Sequence, residues 1–104
     1  MKNKTIRVMT KRPGRIWRIQ HIDNTLEALQ QFVGGYIETV TVMNNVVIIC
    51  NEEGAIQWLP FNVNLLGYNF LGPVILAGVK GEEFADLPEH IIDSWKLVIG
   101  EEML

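Results

Sequence analysis

Apolar and polar residues alternate over 4–10 and again over 15–22, with Lys11-Arg12-Pro13-Gly14 between them as a turn signal. The pattern predicts a β-hairpin. Pairing Arg12 with Arg15 sets Val8 opposite Ile19, Thr10 opposite Trp17 and Ile6 opposite His21, and leaves Thr5, Arg7, Met9, Arg18 and Gln20 on the other face. One side is then apolar and the other basic, as an antiparallel pair with one wet face requires. At Asn24 the period changes. Leu26, Leu29, Phe32 and Val33 share one helical stripe, Asn24 stands as N-cap with Glu27 placed for a capping box, and Gly34-Gly35 supplies a left-handed exit. A helix over 25–33 follows.

Two more strand-like runs, Tyr36 to Met43 and Val46 to Asn51, flank Asn44-Asn45, a pair that tolerates the positive φ of a two-residue turn. With Met43 opposite Val46, Val42 meets Val47, Val40 meets Ile49, Glu38 meets Asn51 and Tyr36 meets Glu53. A turn at Glu53-Gly54 leads into a short strand, Ala55 to Trp58, ended by Leu59-Pro60 because proline cannot donate to a ladder. Residues 61–72 have no clean period and read as a long loop. Val74 to Ala77 is wholly apolar, the mark of a strand buried on both faces, and Gly78 and Gly81 make the turn after it. Pro88 opens a second helix carrying Ile91, Ile92, Trp95 and Val98, stopped by Gly100. The expected fold is a single α+β domain over 1–104: an antiparallel sheet of five or six strands with two helices against one face. Its expected core is Ile6, Val8, Ile19, Leu26, Leu29, Phe32, Val40, Val42, Val47, Ile49, Leu76 and Trp95.

Composition fits one globular core: of 104 residues, 48% are hydrophobic and 20% charged. The lone cysteine excludes an internal disulfide and any multi-thiolate metal site. No apolar run approaches a membrane span, and the basic start lacks the apolar segment of a signal peptide, so a cytoplasmic protein with no membrane partner is expected. Charge changes the picture more. Lys2, Lys4, Arg7, Lys11, Arg12, Arg15 and Arg18 are seven of the nine basic residues, and all twelve acids follow them. This asymmetry is either a footprint for phosphate groups or a solvated hairpin that balances the acidic remainder of the molecule. The pI of about 5.3 favours the second.

No catalytic signature is present: no phosphate loop, no nucleophile elbow, no zinc-protease helix. Cys50 lies in the apolar run VVIICN, where a cysteine acts as a small buried hydrophobe, and His90 reads as a helix-surface residue. No catalytic residue, cofactor or metal is therefore expected. The hairpin register gathers Tyr36, Glu38, Asn51 and Glu53 at the end away from Asn44-Asn45, continuing the apolar face of Val40 and Ile49. Such a set is either a core edge with a cross-strand hydrogen bond or the floor of a ligand site. A slip of one residue would part Glu38 from the partners of Val40. Trp58, Phe61, Tyr68 and Phe70 crowd the adjoining loop, as a lid on the core or as a stacking surface.

The runs TLEALQQFVGGYIETV, VVIICNEEGAIQWLPFN and FLGPVILAGVKGEEFADL, within roughly residues 15–95, resemble a family of small domains of unassigned function encoded by phages, plasmids and their bacterial hosts. The resemblance rests on Gly34-Gly35-Tyr36-Ile37-Glu38, Asn51 to Gly54, Leu59-Pro60 with Asn62, and Gly72-Pro73. It implies a mobile-element setting, in which small non-enzymatic proteins bind a host factor or sequester a host signal. The expected function is a binding module that captures a small molecule or a host protein, in counter-defence, through Tyr36, Glu38, Asn51 and Glu53. The alternative is an accessory protein that holds nucleic-acid phosphates through Arg7, Lys11, Arg12, Arg15 and Arg18.

Overall fold

The structure, a computed structural model, describes the backbone of residues 4–99 and the side chains of residues 4–95. The expectations placed on Lys2, Val98 and Gly100 lie outside these residues. The elements run β1 (Thr5–Lys11), β2 (Arg18–Asp23), α1 (Leu26–Val33), β3 (Ile37–Met43), β4 (Val46–Asn51), β5 (Phe61–Leu65), β6 (Tyr68–Leu71), β7 (Val74–Lys80), β8 (Glu83–Ala85) and α2 (Glu89–Ile99). Six strands form one sheet in the order β2-β1-β7-β4-β3, with β8 added to β7, and every pairing is antiparallel. β5 and β6 form a separate two-stranded sheet.

The two most apolar runs of the chain, in β4 and β7, are neighbours in the interior of the sheet and buried on both faces. Alternation along them sorts side chains into two cores. Val47, Ile49, Ile75 and Ala77 join Ile6, Val8, Leu29 and Val33 beneath α1. Val46, Ile48, Val74 and Leu76 join Met9, Trp17, Phe70, Ile91 and Ile92 on the opposite side, covered by α2 and the β5–β6 hairpin. The helices therefore lie on opposite faces of the sheet, not on one. Each buried Ile, Leu or Val contributes about 1.5–3 kcal/mol, so both layers are well supported.

Local chemistry corrects several expectations. The cap of α1 is Thr25, whose Oγ1 accepts the Ala28 N–H at 3.1 Å, so Glu27 falls one residue short of the capping-box position. Asn24 instead donates from its side chain to the Phe84 carbonyl at 3.1 Å, tying the start of α1 to β8. Leu26 is exposed rather than buried, while Ile19, Phe32, Val40, Val42 and Trp95 are half-buried. Gly34 closes the helix at φ +83°, its N–H bonded to the Gln30 carbonyl. Ala55 to Trp58 is no strand: the Gln57 and Leu59 N–H groups bond back to the Glu53 and Gly54 carbonyls in a helical turn. Residues 61–72 are no loop either, but the β5–β6 hairpin around Leu66-Gly67, whose φ angles of +51° and +84° suit a hairpin turn.

Both sequence-derived registers slip by one. β1 pairs Thr10 with Arg18, Val8 with Gln20 and Ile6 with Ile22. The cause is the turn: Arg12-Pro13-Gly14-Arg15, with Gly14 at φ +74° and an Arg15 N–H to Arg12 carbonyl bond, is a proline-glycine turn that splays its strands. In β3–β4, Met43 does oppose Val46, but a bulge between Thr41 and Met43 moves every later pair. Glu38 then opposes Cys50, and Asn51 opposes Ile37.

Candidate functional site

At the β3–β4 end, the bulge sends Glu38 and Asn51 to opposite faces of the sheet. Asn51 is buried beneath α1. Its Nδ2 donates to the Val33 carbonyl and to Gln57 Oε1, both at 3.2 Å, and its Oδ1 accepts the Glu53 N–H at 2.7 Å. A Cβ on Gly35 would stand 2.9 Å from that Nδ2, so a bare glycine is required there. The Glu52 N–H also bonds to the Tyr36 carbonyl. Helix exit, strand and turn are thus tied by one asparagine whose amide donates twice and whose carbonyl oxygen accepts once. Glu38, Cys50, Asn51, Glu52 and Tyr68 border a shallow hollow of about 290 Å³, while Tyr36 and Glu53 are exposed and outside its lining. The Cys50 thiol faces the Glu38 carbonyl at 3.7 Å; burial, and secondarily the Glu38 charge, push its pKa up to about 11. It stays a neutral thiol.

The basic residues separate in the same way. Arg7, on the α2 face, pairs with Glu89 at 3.2 Å, and its backbone N–H bonds to Asp86 Oδ1 at 2.8 Å. Lys11 donates to Asn62 Oδ1 at 2.8 Å, and Asn62 Nδ2 returns bonds to the Lys11 and Gly72 carbonyls, both at 2.8 Å. Burial holds the Lys11 amine below its ordinary value. These two cations, and the asparagine of the Leu-Pro-x-Asn block, serve the fold.

Arg12, Arg15 and Arg18 do not. The register that pairs Arg18 with Thr10 turns both toward α1, and the splayed turn brings Arg12 and Arg15 over the same face. The three line one cleft of about 640 Å³ with Thr10, Ile16, Gln20 and Phe32, and no acidic residue borders it. The Arg12 guanidinium lies 4.4 Å from the centre of the Phe32 ring, within cation–π distance. Among the described residues none of the three arginines forms an ion pair. Three arginines lining one cleft offer charge-assisted hydrogen bonds to phosphate or carboxylate oxygens. Phe32 and Gln20 were legible only as a core position and a wet-face residue; with the correct register, both become walls of this cleft.

Of the loop aromatics, Phe70 is buried as part of the core and packs 6.2 Å from Tyr68, whereas Trp58 is 90% exposed. Trp95 meets Trp17 at 5.5 Å, a contact that holds α2 to the sheet. Among the described residues no cluster of His, Cys, Asp and Glu could hold a metal ion, and no helix is long and apolar enough to cross a membrane.

No curated protein and no solved structure matches the chain. A family model does, over residues 6–99, a span that includes every residue lining the cleft. The chain belongs to the family described as a domain of unknown function, DUF3846.

Proposed function

We propose that the protein is a non-enzymatic binding module that captures a small anionic molecule in the cleft between the β1–β2 hairpin and α1. The observation that carries this reading is the convergence of Arg12, Arg15 and Arg18 on one cleft with no acid in its lining. A cleft of about 640 Å³ falls in the size range of small-molecule sites. Like charges held together without a counter-charge favour whatever anion relieves them, and the rest of the chain carries a net negative charge. The reading joins the two sequence expectations: small-molecule capture, and phosphate recognition by the basic hairpin. The resemblance to phage- and plasmid-encoded domains supports a counter-defence setting, in which the captured molecule is a host signal.

The test is a thermal melt of the protein with inorganic tripolyphosphate at low salt. At about a hundred times its dissociation constant a ligand adds about 2.7 kcal/mol of stability, which raises Tm by roughly 10 °C for a domain of this size. The shift should vanish when Arg12, Arg15 and Arg18 are all changed to Gln, and shrink as salt rises. An unmoved melt, or an equal shift in the triple variant, overturns the reading. Native mass spectrometry of protein purified from its host would then identify the retained molecule.

A further inference from the structure

The arginine cleft does not end at Arg12. A second hollow of about 430 Å³ shares Arg12, Gln20 and Phe32 with it and continues along β2 and α1 past Ala28 and Gln31 to Asp23. The two compartments differ in chemistry. The first is wholly basic in its charged residues; the second carries two side-chain amides and ends on a carboxylate.

Resting on the anion-capture reading, we propose that the ligand is a free nucleotide, with its phosphates on Arg15 and Arg18 and its base in the second hollow against Gln20 and Gln31. Three features select this class. A bare inorganic anion would leave the second hollow empty and its amides unused. A nucleic-acid strand needs a continuous positive track for successive phosphates, and Asp23 interrupts it at the far end. Side-chain amides, which both donate and accept, match the edge of a heterocyclic base. Between the compartments, the Arg12 guanidinium over the Phe32 ring stands at the junction of base and phosphate, within reach of either. Asp23 at the far end accepts hydrogen bonds from a base amino group or a sugar hydroxyl and repels a further phosphate.

The experiment is isothermal titration of the full chain with ATP, GTP, CTP and UTP, with inorganic tripolyphosphate of matched charge, and with a single-stranded RNA of about twenty nucleotides. At least one nucleotide should bind about tenfold more tightly than tripolyphosphate, and more tightly than the RNA. Gln31→Ala, outside the arginine cleft, should weaken that nucleotide about fivefold and leave tripolyphosphate unchanged, whereas Arg15→Gln should weaken both. Equal affinity for nucleotide and tripolyphosphate overturns the nucleotide assignment while anion capture stands. Tightest binding to the RNA overturns it in favour of a strand. Failure of every probe to bind overturns both readings together.

Discussion

The β3–β4 end and the arginine cleft are both polar regions beside α1, and they treat their polar groups in opposite ways. Around Asn51 the side-chain donors and acceptors are satisfied from within: Val33, Gln57 and Glu53 complete the asparagine. Arg12, Arg15 and Arg18 line one cleft without an acidic partner in the lining. A buried polar group that is fully satisfied locks the chain and has nothing left to offer a ligand. A cluster of exposed like charges costs the fold little in water, yet keeps its bonding capacity for an incoming anion. The asparagine, glycine and glutamate blocks that stand out in the sequence thus include the joints of the frame, and the functional chemistry sits on a hairpin with a plainer signature.

Variants should separate the two regions by stability against binding. The largest expected effect is Leu29→Ala, beneath the α1 wall that both regions share: Leu29 is 1% exposed, and its truncation should lower unfolding free energy by about 2–5 kcal/mol in a urea titration. A loss under about 0.5 kcal/mol would show that α1 does not clamp the sheet. Next comes Asn51→Ala, which strands the Val33 carbonyl and the Glu53 N–H; it should cost about 2–3 kcal/mol and leave tripolyphosphate affinity intact. Should it abolish binding while the fold holds, the comparison is broken.

Cys50 gives a pH-dependent check on the same end. Its folded pKa of about 11 lies above the ordinary 9.0, so the unfolded chain loses the thiol proton first. The stability it contributes is full below pH 9.0 and declines as pH rises toward 11, and Cys50→Ala should flatten that part of the stability profile. Glu38→Gln should change stability by about 1 kcal/mol or less, since Glu38 is exposed and opposes Cys50 rather than Asn51. Smallest of all on stability is Arg15→Gln, within about 0.5 kcal/mol, although anion affinity should fall about tenfold. A stability loss as large as that of Asn51→Ala would mean the arginine is a frame residue after all.

By itself the sequence determined the elements whose signals are local. The α1 stripe, the left-handed Gly34, the Asn44-Asn45 turn and the doubly buried β7 follow from period, glycine and proline, and the antiparallel sheet with two helices follows from their order. It marked Arg12, Arg15 and Arg18 as an unusual charge cluster, but set them beside Arg7 and Lys11 as one surface. Only the tertiary structure divided that set, because a side chain's face depends on parity. The splayed Arg12-Pro13-Gly14-Arg15 turn and the bulge before Met43 each move the pairing by one residue, and one residue reverses the face. The second core was hidden for a related reason. Phe61 to Leu71 gains its period only once Leu66-Gly67 turns it into a hairpin over Met9, Ile48 and Leu76, and α2 finds its side of the sheet only when Trp95 meets Trp17. Those contacts join residues far apart in the chain, and no local pattern encodes them.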